Sequence, residues 1–132
     1  MKTKIVMTAS SIVFGLTGIL LTFIPGEILN YLGLEKSWLL LLLIQISGAL
    51  SYAFAMLNWM ARTSVIGGIY NKPIALANFI HFVIGSLALI KALMVNPDLP
   101  FSIWVIASIY TVFAISFAFI NFKNPSIADK KI

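Results

Sequence analysis

Apolar residues fall into four long runs along this chain, at 5–24, 38–60, 73–95 and 101–122, and polar residues gather between them. Each run holds about 20–23 residues, which at a rise of 1.5 Å crosses roughly 30 Å of hydrocarbon. Backbone groups in lipid must pair within their own segment, and runs this long exceed a barrel strand. The pattern predicts four transmembrane helices. Prolines support the ends: Pro73 suits a first helical turn, while Pro25, Pro97 and Pro125 stand just beyond helix ends. Lys2 and Lys4 precede the first run, but it is too long for a signal-peptide core and no Ala-x-Ala-like site follows it. It reads as a retained helix.

Inside each run, small or polar residues recur at steps of three and four. The stripes are Thr8, Ser11, Gly15, Gly18, Thr22; Gly48, Ser51, Ala55, Asn58, Arg62; Asn78, His81, Gly85, Ala88, Ala92; and Ala107, Thr111, Ala114, Ala118, Asn121. Such steps keep each set on one helix face. Lipid tails give no hydrophobic drive for helices to associate, so close backbone approach and interhelical hydrogen bonds must hold them together. The fold expected is all-α: one domain over residues 1–132, a compact antiparallel bundle of four transmembrane helices crossing near +20° with the stripes inward. Bulky residues such as Leu39 to Leu43, Phe117 and Phe119 are expected mostly to face lipid or a neighbouring subunit.

Composition agrees: 61% of residues are apolar and 10% charged, against about 45–50% and about 25% in soluble domains. Charge then orients the helices. Lys2, Lys4, Arg62, Lys72, Lys123, Lys130 and Lys131 flank one side, and only Lys36 and Lys91 the other. The positive-inside rule places both termini and the 62–72 loop in the cytoplasm, as a multi-pass protein of the inner (plasma) membrane. The net charge of +5 does not indicate nucleic acid, because the basic residues sit at span ends and form no soluble basic face.

Candidate chemistry is sparse. No cysteine occurs, and no acid lies within a span. Paired carboxylates, a Ser-His-Asp set and a cysteine or histidine metal cluster therefore cannot be assembled at membrane depth. The residues imply no cofactor, and the balance is against an enzyme. Several known four-helix families are excluded on the same grounds. The first span lacks the embedded acid of small multidrug exporters, and the chain lacks the cysteines of vitamin K-reducing enzymes.

One candidate site remains. Ser11, Asn58, Arg62, Asn78, His81 and Asn121 all fall in the half of the stripes nearest the expected cytoplasmic side, a candidate polar vestibule. His81 is the deepest ionisable group, and an ionisable residue inside a membrane is a functional candidate by default. Its expected hydrogen-bond partners are Asn78, Asn58, Asn121 or a serine. Arg62, with Lys72 and Tyr70 beyond the Gly67-Gly68 turn, is a candidate lipid-headgroup or anion contact.

Three function classes follow. The leading one is a structural or accessory subunit binding other membrane helices. The second is a homo-oligomeric transporter or channel protomer using the pocket around His81. The third is a lipid- or apolar-ligand-binding protein. Expected partners are the bilayer and either further copies or another membrane protein.

Overall fold

The computed structural model describes residues 2–64, 66 and 71–123. It contains helices α1 (Lys2–Phe23), α2 (Pro25–Tyr31), α3 (Trp38–Ala61), α4 (Lys72–Val95) and α5 (Phe101–Phe122), with no strand among the described residues. The all-α expectation holds. α1, α3, α4 and α5 are each long and apolar enough to cross a membrane. Their 22, 24, 24 and 22 residues reach about 33–36 Å at the helical rise.

The helix ends follow local chemistry. Pro25 stops α1 because it has no N–H to continue the ladder. It then opens α2, where a missing N–H costs nothing and the fixed φ suits the first turn. The sequence reading assigned Pro25 only the first of these roles and passed over the seven-residue α2. α2 ends in a Schellman turn: Gly33 takes φ +69°, the Leu34 N–H donates to the Leu29 carbonyl at 2.9 Å, and the Gly33 N–H to the Asn30 carbonyl at 3.1 Å. Ser37 caps α3, its hydroxyl accepting from the Leu40 N–H at 3.2 Å.

The chain divides into two compact units, Met1–Arg62 and Thr63–Ile132. The first is an antiparallel hairpin of α1 and α3, with α2 packed against both where the chain turns. Its seam is made of backbone. A Cβ added to Gly18 would lie 2.9 Å from the Tyr52 nitrogen and 3.0 Å from the Gly48 oxygen. One added to Gly48 would lie 2.9 Å from the Thr22 nitrogen. Both helices therefore approach where only glycine fits. The α3 stripe is buried as expected at Gly48, Ser51, Ala55 and Asn58. On α1 the buried face is broader than the stripe and includes Met7, Ser10 and Phe14 beside Ser11 and Gly18.

The second unit is an antiparallel hairpin of α4 and α5, and its seam is made of rings. Phe82 stacks on Phe113 at 4.9 Å and on Phe117 at 5.7 Å, with Tyr110 edge-on at 5.2 Å. Phe117 is thus fully buried, which corrects its expected lipid-facing position. It stands four residues from Phe113, so both rings share the face that meets Phe82. Phe119 and the leucines at 39, 42 and 43 do face outward, while Leu40 and Leu41 are half-buried. The α4 stripe also needs correction. Its buried positions are Ala75, Asn78, Phe82, Ser86 and Leu93, and Ala88 is exposed. A face chosen by small residues drifts out of phase where the seam is filled by aromatic volume instead.

Candidate functional site

The six candidate vestibule residues fall three to a unit: Ser11, Asn58 and Arg62 in the first hairpin, Asn78, His81 and Asn121 in the second.

In the first hairpin, α1 and α3 exchange two polar contacts one helical turn apart. The Ser11 hydroxyl donates to the Ala55 carbonyl at 2.7 Å. The Asn58 Nδ2 donates to the Ser10 hydroxyl at 3.0 Å, which itself donates to the Met7 carbonyl at 3.0 Å. Ser10 and Asn58 are wholly buried. A buried amide away from water must find such partners or lose several kcal/mol. The sequence reading chose Ser11 and missed Ser10. The signal was present, since Met7, Ser10 and Phe14 also follow steps of three and four.

Arg62 is the C-cap of α3. Its Nη1 donates to the Trp59 carbonyl, and its guanidinium carbon lies 3.7 Å from the centroid of the Trp59 ring. Hydrogen bond and cation–π contact together fix the head of this side chain. Of its proposed companions, Lys72 is an exposed residue in the second unit. Tyr70 and the Gly67-Gly68 turn lie outside the described residues.

In the second hairpin, Asn121 ties the ends of both helices. Its Nδ2 donates to the Ala75 carbonyl of α4 at 2.9 Å and to the Phe117 carbonyl at 3.0 Å. Its Oδ1 is buried with no partner among the described residues. Asn78 is fully buried, and its Nδ2 donates to the Ile74 carbonyl at 2.9 Å.

His81 meets Tyr110, a residue the sequence reading did not name. His81 Nε2 and Tyr110 Oη are 3.4 Å apart, at the long end for a hydrogen bond. The two rings lie 5.7 Å apart, and the His81 ring meets Phe82 edge-on at 5.5 Å. Gly85 makes room for this pairing: a Cβ there would meet two Tyr110 ring carbons at 2.7 Å. Tyr110 was findable as the first member of an aromatic stripe, Tyr110, Phe113, Phe117, at steps of three and four.

An open groove of about 440 Å³ runs between α4 and α5 at the end nearest their connection, lined by residues such as Leu93, Met94, Trp104 and Ala107. It is apolar and lies away from His81, Asn78 and Asn121. Ser108 and Thr111 on its wall donate to the carbonyls four residues earlier, at 2.9 and 2.8 Å. No group of three metal-ligating side chains occurs among the described residues.

Chemically, each set contains cross-helix ties. Ser11, Asn58 and Asn121 donate across to the neighbouring helix, Asn78 and Arg62 donate to carbonyls of their own helices, and α4 carries no carboxylate beside His81 to orient it as a base.

No protein-family model, no curated protein and no solved structure matches this chain.

Proposed function

We propose that this chain is a structural or accessory membrane protein whose outward helix faces bind other membrane helices. One observation carries the reading: three of the six candidate vestibule side chains tie the two helices of their own hairpin together. Ser11, Asn58 and Asn121 each donate across their own seam. Groups engaged in this way hold helices in register and are not displayed to a solute.

The outward faces support the same reading. α3 presents Leu42, Ile46, Leu50 and Leu57, all exposed, on one side of a long apolar helix. Such a face suits lipid or another helix, with van der Waals packing as the attraction.

The test compares two activities of one purified protein. Reconstituted into vesicles, it should give no solute or proton flux above protein-free vesicles. Changing Leu42, Ile46 and Leu50 together to alanine should lower the amount of a co-purifying membrane partner, or of a homo-oligomer, while leaving helix content unchanged. Flux that depends on His81 would overturn this reading and favour the transporter alternative.

A further inference from the structure

The first hairpin carries a preformed cationic group at its open end. Arg62 closes α3, and its guanidinium is fastened twice: by the Trp59 carbonyl and by the face of the Trp59 ring, 3.7 Å from centroid to guanidinium carbon. Guanidinium is a planar fork of five N–H donors, and the bond to Trp59 uses one of them. Fastening a long side chain beforehand removes much of the rotamer entropy that a ligand would otherwise have to overcome. Arg62 also lies where the negative end of the α3 dipole would repel an anion, and its bond to a last-turn carbonyl offsets that field.

A second cation stands at the same level. The helix register follows from three close pairs: Ser11 with Ala55, Ser10 with Asn58, and Gly18 with Tyr52. Continued outward at one residue per residue, it sets Arg62 level with about residues 4–8 of α1. Lys4 is exposed within that stretch. The acids of this unit, Glu27 and Glu35, sit at the opposite end, beside the α1–α3 connection. Neither can neutralise Arg62 or Lys4. Trp59 is 44% exposed, as a ring at headgroup depth would be.

We infer that Arg62, fastened on Trp59 and assisted by Lys4, forms a phosphate-binding clamp at the open end of the first hairpin, fitted to the phosphodiester headgroup of an anionic phospholipid. A guanidinium fork pairs with two phosphate oxygens at once, the strongest common geometry for this anion. The tryptophan ring supplies an apolar floor for the glycerol and upper acyl carbons. The clamp uses none of the seam contacts, so it is separable from the proposed role in binding helices.

The test is native mass spectrometry of the full-length protein in mild detergent, offered equal amounts of phosphatidylglycerol and phosphatidylcholine. The wild type should retain the anionic lipid more than about fivefold over the zwitterionic one, since each basic residue at an anionic surface contributes about that factor. Arg62→Gln should lower the ratio about fivefold. Arg62→Lys should recover only part of it, since the charge returns without the fork. Trp59→Leu should lower it with the charge intact. A competition arm with glycerol 3-phosphate identifies the source: no displacement assigns the site to lipid, and full displacement assigns the same clamp to soluble phosphate esters. Equal retention of both lipids by the wild type would overturn the clamp, as would an unchanged ratio in Arg62→Gln. Helix content by circular dichroism confirms that each variant is folded.

Discussion

At the residue scale, three glycines distinguish backbone contact from side-chain contact. Gly15→Ala should be nearly neutral, because the new methyl would stand 3.7 Å from the Ala55 Cβ, an ordinary contact. Gly18→Ala should cost about 1–3 kcal/mol, since its methyl would meet the Tyr52 backbone nitrogen at 2.9 Å and neither helix can yield without separating. Gly85→Ala falls between them, because the obstruction is the Tyr110 ring at 2.7 Å, which can swing aside. Unfolding midpoints in detergent, measured for the three variants together, should rank them in that order. The buried amides behave differently. Ser10→Ala removes the acceptor that Asn58 Nδ2 uses at 3.0 Å and should cost about 0.6–1.7 kcal/mol, the range for polar ties between membrane helices. The same midpoint assay reads it, and no measurable loss would show that Asn58 finds another acceptor.

At the element scale, each hairpin has its own way of closing. The register of α1 on α3 can be tested directly, because the chain has no cysteine of its own. The Cβ positions of residues 15 and 55 are 3.7 Å apart, within the range about 3.5–4.5 Å that a disulfide needs. The double variant Gly15→Cys, Ala55→Cys should cross-link under mild oxidation, and pairing Gly15→Cys with Tyr52→Cys should not do so efficiently. In the α4–α5 hairpin the weight lies on Phe82. Phe82→Ala should destabilise by about 3–5 kcal/mol, while Tyr110→Phe should cost about 0.6 kcal/mol or less, since its contact with His81 is long at 3.4 Å. Comparable losses from both changes would make the histidine–tyrosine contact a structural mainstay.

The contrast between hairpins also explains what could be read from residues alone. The stripe rule succeeded on α3, where Gly48, Ser51, Ala55 and Asn58 are all buried, because small residues there admit another backbone. It slipped on α4, where Ala88 is exposed and Phe82 buried, because a seam of stacked rings selects for volume. Hydropathy cannot separate a ring facing lipid from a ring facing a neighbour, which is why Phe117 was misplaced. Arg62 and Asn58 were legible as polar residues at depth. Ser10 and Tyr110 could be found as members of stripes, but their pairing with Asn58 and His81, and that of Trp59 with Arg62, could not, because a partner depends on rotamer and register rather than on residue type.

At the scale of the whole molecule, the chain supplies four spans and places most of its cations beside one set of span ends. If the positive-inside rule governs insertion, reporter tags at either terminus should both be protected from reagents confined to the outer side, and a tag placed in the 96–100 connection should be accessible to them. A terminus labelled from outside would reverse that orientation. Moving cations should then matter more than removing single ones: replacing Lys2, Lys4 and Arg62 together by glutamine while adding lysines beside Glu35 should yield mixed topologies in the same tag assay.

The glycine seam has one further consequence, for how this chain can change over generations. Where two backbones touch at Gly18 and Gly48, the smallest possible mutation is already too large, so these two seam positions offer inheritance almost no neutral step. A stack of rings around Phe82 can exchange one bulky residue for another of similar volume and still close. Mutational drift within the seams therefore has more room in the second hairpin than where the two backbones of the first one touch.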